Sequence, residues 1–405
     1  MKMAKAWIPF LMIILAVTMI IGCSHMDKTG VEEVITNELN LLKNLDSDTV
    51  QKYVSYNELF PDVTDGTELS KEVEEVFSLF FKDFDYKILD INVDKDRKTA
   101  SANLKLFTID TKALAKDFDI SHLEDAILKA ADSQNTEDES SDTLEERYLL
   151  LNELLKNRQY DTVETSCTMK LQNKGTDSED WEIIRTHELE NCLVGGLMTY
   201  LSDSDLLSPE ETLTVYLNTL KTMNLDQMSN FLGLESLLNT SDAAKSSIAS
   251  ALVEQVHNNF DFKITGSDTE SYKATVDAEL TTFDSNAILE AYQAELETYL
   301  ASPDAVIDGS QKRYNKSLEL LLKNIENNTA TTISKVTFTL VNDGVSWKLL
   351  DDGHTIGSGI FGTLTSTPVS GEGSDSGDPE TQEEEDSYEE ESGDEDSYYE
   401  EDYDN

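Results

Sequence analysis

The sequence predicts an α+β protein in which two homologous domains each pack helices on one face of a curved, cone-like antiparallel sheet of about four strands. Three observations support this prediction. Apolar residues at helical spacing begin each half of the chain, stretches of alternating polar and apolar residues follow them, and the two halves resemble each other. A disordered acidic tail is expected after the second domain.

The internal similarity is the most informative feature of the chain. Residues 31–43 and 209–221 align without gaps, and seven of the thirteen positions are identical. Similarity repeated in the same order along a chain indicates duplication. The matching segments are 31–43 with 209–221, 84–88 with 260–264, 100–110 with 274–284, and Trp181 with Trp347.

This similarity predicts the domain boundaries. Each copy has the size of an ordinary single domain. We expect a lipoprotein signal peptide over 1–22, a lipidated linker over 23–27, a first α+β domain over 28–200, a second over 206–365, and a disordered acidic tail over 366–405.

Helices are expected at the start of both domains. Ile35, Leu39, Leu42 and Leu45 are spaced as one helical face, and Leu213, Leu217 and Leu220 repeat the pattern. Ser208 and Pro209 precede the second helix as a capping residue and a first-turn proline. A further helix is expected over 69–82.

Alternating residues predict the strands, and longer helical patterns separate them. In the first domain we expect strands over 86–93, 100–106, 162–172 and 181–186, with helices over 113–130 and 144–157 between the strand pairs. In the second domain we expect helices over 285–300 and 311–325 and strands over 331–341 and 346–350. The acidic segment 132–142 is expected to be a mobile loop.

The N-terminus predicts export and lipid attachment. Lys2 and Lys5 precede a run of 17 uncharged, mostly apolar residues that ends at Gly22. Ile20, Ile21, Gly22 and Cys23 then match a bacterial lipobox, in which the cysteine receives diacylglycerol. Two acyl chains give stable membrane anchoring without a transmembrane helix. The alternatives are a cleaved secretory peptide and an uncleaved anchor beside an incidental cysteine.

The charge of the chain limits its partners. The net charge is −50, and leaving out the 18 acidic residues of segment 370–405 reduces it to −32. Nucleic acids and anionic lipids both require a cationic surface, so the acidic composition argues against them. The tail interleaves tyrosines with acids, and a basic protein or peptide could bind there. A solubilising or spacing role is the alternative.

Few residues suggest chemistry. The inward positions of the strand over 162–172 are expected to be Val163, Thr165, Cys167, Met169 and Leu171, and of these only the thiol could transfer a proton. The five histidines lack metal-ligand spacing, and Asp94-Lys95-Asp96 lacks the glycine and glutamate of a calcium loop. We therefore expect no catalytic set, no metal and no cofactor other than the acyl lipid on Cys23.

Cys167 and Cys192 are the remaining cysteines. Their patterns place Cys167 inside a strand and Cys192 just beyond the next strand, so one disulfide is compatible with the predicted fold. The alternative is that the thiols stay reduced and pack as small apolar groups.

The order of elements resembles nuclear-transport-factor-like or cystatin-like domains. It resembles in particular uncharacterised Gram-positive surface lipoproteins that carry such domains behind a lipobox. The residues that carry the resemblance are Ile20–Cys23, Asp180–Ile184, Gly195–Gly196, Gly344–Leu350 and Gly357–Gly362.

We therefore expect a lipid-anchored, extracytoplasmic protein that binds a ligand or a protein at the cell envelope without catalysis. One alternative is a small-molecule enzyme of the cone-shaped fold. The other is a structural spacer lipoprotein. A fold alone does not decide among these functions.

Overall fold

The structure is a computed structural model, and it describes residues 28–45, 59–60, 71–96, 98–132, 143–175, 180–232, 243–350 and 353–366. The chain divides into a unit over Met1–Thr367 and a second unit over Pro368–Asn405. The signal segment, Cys23, most of the segment 132–142 and the acidic tail lie outside the described residues.

Helices and two four-stranded antiparallel sheets make up a mixed α+β fold, as the sequence predicts. The elements up to residue 201 are α1 (28–43), α2 (Lys71–Phe80), β1 (Asp85–Asp94), β2 (Thr99–Ile109), α3 (Thr111–Ala131), α4 (Leu144–Asn157), β3 (Thr162–Asn173), β4 (Trp181–Ile183), α5 (His187–Leu193) and α6 (Leu197–Leu201).

The second sheet follows a further set of helices. The elements after residue 201 are α7 (Pro209–Leu220), α8 (Leu225–Phe231), α9 (Ala243–Asn259), β5 (Asp261–Glu270), β6 (Lys273–Phe283), α10 (Ser285–Leu300), α11 (Pro303–Ile307), α12 (Ser310–Glu326), β7 (Thr331–Asn342), β8 (Trp347–Leu349), α13 (His354–Phe361) and a 3₁₀ turn (Gly362–Ser366).

Side-chain caps mark the helix starts that the sequence predicts. Ser208 accepts a hydrogen bond from the backbone N–H of Glu211, the Glu211 carboxylate accepts one from the N–H of Ser208, and Pro209 is the first residue of α7. Thr143 and Glu146 form the same box at the start of α4. These bonds satisfy N–H groups that a helix leaves unpaired at its start.

The strands of each sheet pair in sequence order. The sheets run β1-β2-β3-β4 and β5-β6-β7-β8. The register shifts once in each outer hairpin, after Ile88 in the first sheet and after Ile264 in the second. The predicted inward positions on β3 are confirmed for Cys167, Met169 and Leu171, which are buried in the first core.

Helix α1 covers the first sheet with an apolar face. Val31, Ile35, Leu39 and Leu42 are completely buried in the first core, as their spacing predicts. The prediction for Leu45 is wrong, because the helix ends at residue 43. Leu45 has a positive φ of 61° and is exposed.

Helix α3 belongs to both hydrophobic cores. Leu114, Ala115 and Phe118 in its first half are buried in the first core. Ile127 and Ala131 near its end are buried in the second core. The Asn230 side-chain amide also donates to the Ala131 carbonyl at 3.0 Å. The helix therefore joins the two parts of the fold.

The turn between α6 and α7 is tied to the second sheet. The carboxylate of Asp205 accepts hydrogen bonds from the indole N–H of Trp347 at 2.9 Å and from the side-chain amide of Asn342 at 3.1 Å. Trp347 is buried in the second core. Asp205 therefore fixes the connecting turn to the hairpin β7–β8.

Three helices occupy segments for which the sequence predicted no regular structure. The glycine-bearing end 357–362 is mostly helix α13, and the residues after β4 form α5 and α6. Gly353, at the start of α13, has a φ of +86°, and a Cβ there would lie 2.1 Å from the Phe231 carbonyl oxygen. A glycine is required because the helix start packs directly on the end of α8.

Replacing Asp205 with alanine should destabilise the fold by about 1–3 kcal/mol, because the indole N–H of buried Trp347 loses its acceptor, whereas the Asn342 amide keeps Ser204 as a partner. Urea denaturation would measure the change. Asp268→Ala on exposed β5 is the matched control and should change the free energy of unfolding by less than about 0.5 kcal/mol. Equal effects in the two variants would contradict the proposed role of Asp205.

Candidate functional site

The inner faces of the sheets, where a small ligand would enter, are filled by apolar side chains. Leu104 and Met169 line the first face, and Leu280 and Phe338 line the second, all of them buried. A cavity of about 10 Å³ lies in the first core, and its lining is apolar. A cavity of this size and polarity is expected to stay dry. The cavity is lined by Leu59, Val76, Phe77, Phe80, Leu114, Leu151, Leu155, Val194 and Leu197.

The four histidines that the structure describes lie on helices. The His122 ring stacks on Phe118 with centroids 5.7 Å apart, and Nε2 of His257 lies 2.9 Å from the Met223 carbonyl oxygen. His187 and His354 are the first residues of α5 and α13. Among the described residues there is no group of His, Cys, Asp or Glu side chains that could hold a metal ion.

Of the predicted site residues, the structure describes Cys167 and Cys192. Cys23, Ile20, Ile21 and Gly22 lie outside the described residues. Cys167 on β3 and Cys192 on α5 are unbridged, and Sγ of Cys192 lies 3.3 Å from the carbonyl oxygen of Ser166, the residue before Cys167. The neighbouring Cys192 thiol and burial raise the pKa of Cys167, whereas the neighbouring Cys167 thiol lowers the pKa of Cys192.

One carboxylate at the join of the two parts has an unusual pKa. Burial of Asp119 on α3 raises its pKa to about 7, and the nearby negative charge of Asp203 adds to the increase. The positive charge of Arg147 opposes it. The carboxyl group therefore changes charge near neutral pH, whereas an ordinary aspartate is fully ionised there.

An exposed apolar surface lies between α10 and α12. We define the aliphatic tip as Leu300, Val306 and Ile307, whose exposed fractions are 51%, 83% and 80%. Leu300 ends α10, and the other two residues end the short helix α11. Single exposed aliphatic residues are common, but adjacent aliphatic side chains this exposed are typical of contact sites.

Hydrogen bonds hold the aliphatic tip in one conformation. The Tyr299 hydroxyl donates to the Asp308 carboxylate at 2.9 Å and so closes the loop that carries the tip. The Ser302 hydroxyl donates to the Tyr299 carbonyl oxygen at 2.6 Å and accepts from the Ala305 N–H at 3.4 Å. Ala305 is buried beneath the exposed residues. The tip is therefore ordered before any contact, which reduces the entropy cost of binding.

Three lysines of α12, the helix that follows the tip, form ion pairs with acidic side chains. Lys312 lies 3.7 Å from the Asp308 carboxylate, Lys316 pairs with Glu319 at 2.7 Å, and Lys323 pairs with Glu295 at 2.9 Å. The opposite face of α12 packs Leu318 and Ile325 into the second core. These lysines therefore lie on the solvent-exposed face of an amphipathic helix.

The aliphatic tip is not evident from the sequence pattern. Segment 302–307 reads Ser-Pro-Asp-Ala-Val-Ile, with a capping serine before a first-turn proline. That signal predicts a short helix. The exposure of its last two residues depends on how α10 and α12 pack, and the sequence pattern does not contain this information.

No protein-family model matches the chain, and no curated protein matches it. Among solved structures, the chain is similar to "a putative lipoprotein (ycdA) from Bacillus subtilis subsp. subtilis str. 168". The identity is 11%, the match covers 68% of this chain and 96% of that chain, and the TM-score is 0.26. This TM-score is too low to establish a shared fold, and the nuclear-transport-factor-like or cystatin-like resemblance is not confirmed.

The raised pKa of Asp119 predicts a pH-dependent stability. Its folded pKa of about 7 exceeds the usual 3.8, so its contribution to stability is complete below about pH 4 and is lost as the pH rises through 7. Asp119→Asn should therefore raise the melting temperature relative to the unchanged protein at about pH 8, and the difference should shrink towards about pH 5.

Melting curves of both proteins across this pH range would measure the effect. Asp268→Asn is the control for the loss of one exposed negative charge from an acidic protein. A constant difference between Asp119→Asn and the unchanged protein at all pH values would contradict the assignment.

Proposed function

We propose that this protein is a lipid-anchored, extracytoplasmic binding protein, and that the aliphatic tip contacts an apolar surface of a protein partner at the cell envelope. The observation that supports this proposal most strongly is the exposure of Val306 and Ile307 on an ordered helical turn. Burying each of these side chains would contribute about 1.5–3 kcal/mol.

The proposed anchoring rests on the lipobox. A diacylglyceryl group on Cys23 would place the folded unit at the outer face of the membrane through the short linker 23–27. Among the described residues, no helix is long and apolar enough to cross a membrane. Lipid attachment is expected to supply the membrane contact in place of such a helix.

We also propose that the two parts of the fold are homologous domains. The ion pair between Lys43 and Asp85, at 2.8 Å, recurs between Lys221 and Asp261, at 3.1 Å. Each pair joins a helix end to the first residue of a sheet. The register shifts after Ile88 and Ile264 also fall at aligned positions.

The filled inner faces favour a protein partner over a small molecule. A small-ligand site is usually a pocket with a few polar groups that converge on it. Here the buried inward positions of both sheets carry packed apolar side chains. A contact surface is therefore expected on the outside of the folded unit.

The acidic tail is proposed as a secondary element that keeps the molecule soluble and spaced from its neighbours. Its charge would also attract a basic peptide or protein at low ionic strength. Attraction of this kind weakens as salt is added, whereas apolar contact at the tip does not. Salt therefore distinguishes the two surfaces.

Lipid attachment can be tested by Cys23→Ser. The substitution should abolish incorporation of labelled fatty acid and release the protein from the membrane, because the acceptor sulfur is lost. Cys192→Ser is the control and should retain both label and membrane fraction. Full membrane retention of the Cys23→Ser protein would instead indicate an uncleaved anchor.

Partner binding can be tested by a photo-crosslinking amino acid at position 306 in intact cells. A discrete protein adduct is expected, and Leu300→Ser with Ile307→Ser should reduce its yield at least about tenfold, because apolar contact is lost. Val345 and Leu350 are 73% and 64% exposed on another part of the fold. A crosslinking amino acid at position 345 is thus the matched control for position 306. Leu350→Ser is the matched control for the serine substitutions in the tip.

Three outcomes would contradict the proposal. Equal adducts from positions 306 and 345 would indicate non-specific contact. Adducts with lipid alone would assign the tip to the bilayer. Loss of the protein adduct on deletion of 370–405 or at high salt would place the contact on the acidic tail.

A further inference from the structure

Two cysteine side chains lie close together in the first part of the fold. Cys167 points inward from β3 and is buried in the first core. Cys192 lies on α5, and its thiol donates to the Ser166 carbonyl oxygen at 3.3 Å, next to Cys167 in the chain. The neighbouring Cys192 thiol, together with burial, also raises the pKa of Cys167. The two cysteine side chains are therefore close neighbours.

Firm local structure holds α5 in this position. Thr186 caps the helix by accepting from the Leu189 N–H at 3.2 Å. Arg185 donates to the buried Glu190 carboxylate through two nitrogen atoms, at 3.0 and 2.7 Å. Leu189 and Leu193 are buried in the first core. Cys192 is thus fixed relative to the sheet, and its contact with Cys167 does not depend on a loose segment.

In the second sheet, a different residue occupies the position that corresponds to Cys167. Cys167 pairs with Leu104, which pairs with Ile88 just before the register shift. Val336 holds the same position, since it pairs with Ala278 and through it with Ile264.

Helix α13 covers Val336 with Gly359, where a Cβ would lie 3.0 Å from the valine methyl group. A small residue lets that helix pack closely on the sheet. In the first sheet, two sulfur atoms occupy the equivalent contact between helix and strand.

We propose that Cys167 and Cys192 form an intramolecular disulfide in the exported protein. Exported proteins meet oxidising conditions in which a close and fixed pair of thiols can be bridged. The bond would join α5 to β3 and would close a loop of the chain between residues 167 and 192.

The reaction requires an oxidant. This can be a thiol–disulfide oxidoreductase in its disulfide form or the disulfide of a small-molecule thiol. Cys192, the more accessible sulfur, attacks the oxidant disulfide as thiolate and forms a mixed disulfide, and one oxidant sulfur leaves as a thiol. Cys167 then attacks the Cys192 sulfur and releases the second oxidant thiol. Two cysteine thiols lose two protons and two electrons, and the oxidant disulfide gains them.

The bridge would secure the turn that follows α5. Gly195 has a φ of +63°, and its carbonyl oxygen accepts a hydrogen bond at 2.6 Å from the buried hydroxyl of Thr111, the first residue of α3. A covalent bond one turn earlier would hold this contact in place. The disulfide would therefore stabilise the start of the helix that joins the two cores.

Thiol counting on the full, lipidated chain purified from membranes tests the proposal. The protein is denatured and divided into two samples, of which one is reduced. Both samples are then treated with a maleimide polymer, which adds mass to each free cysteine thiol. We expect no cysteine thiol to react before reduction and two to react after it, since the sulfur of Cys23 is expected to carry the lipid as a thioether. Proteolysis without reduction should yield one peptide pair joined through residues 167 and 192.

Single variants complete the test. Cys167→Ser and Cys192→Ser should each show one reactive thiol before reduction, because either change frees the other sulfur. Chain made without the signal segment, and so kept in the reducing cytosol, should show both thiols. Reaction of two thiols in most molecules of the exported, unreduced protein would overturn the proposal.

Discussion

Helix α3 provides the packing on which the rest of the structure depends, because it contributes side chains to two hydrophobic cores. Phe118 is buried in the first core, whereas Ile127 and Ala131 are buried in the second core. Removing one part would expose apolar residues of the helix that the other part cannot cover. The two sheets are thus expected to depend on each other for stability, and the unit should unfold as one cooperative block.

Much of the fold could be predicted from the sequence because its elements are long and regular. The predicted helix over 285–300 and the predicted strand over 331–341 agree with α10 and β7 to within one residue. Leu45 was misplaced because periodicity continues past the point where the backbone turns into the left-handed region. Helix α13 escaped prediction because its glycines lower helix propensity, and packing against the sheet compensates for that loss.

The candidate sites were less predictable because they depend on contacts between distant segments. Strand alternation places Cys167 on the inner face, but only the packing of α5 brings Cys192 to it. Similarly, the pattern of α12 identifies its buried face, while the exposure of Val306 follows from the way the loop closes through Tyr299 and Asp308. Periodicity predicts the secondary structure and the buried face of a short segment, but it does not predict contacts between distant segments.

The outer strands β1 and β5 lie at the ends of their sheets and leave one row of backbone groups without a strand partner. Such edges can pair with another chain, and the risk rises with local concentration. A lipid anchor would confine many copies to a plane and so raise that concentration. The register shifts interrupt both edges, and Asp268 and Glu270 place negative charges along β5. The bulges and acidic side chains would thereby keep neighbouring copies from joining edge to edge, so that crowding on the membrane need not lead to aggregation.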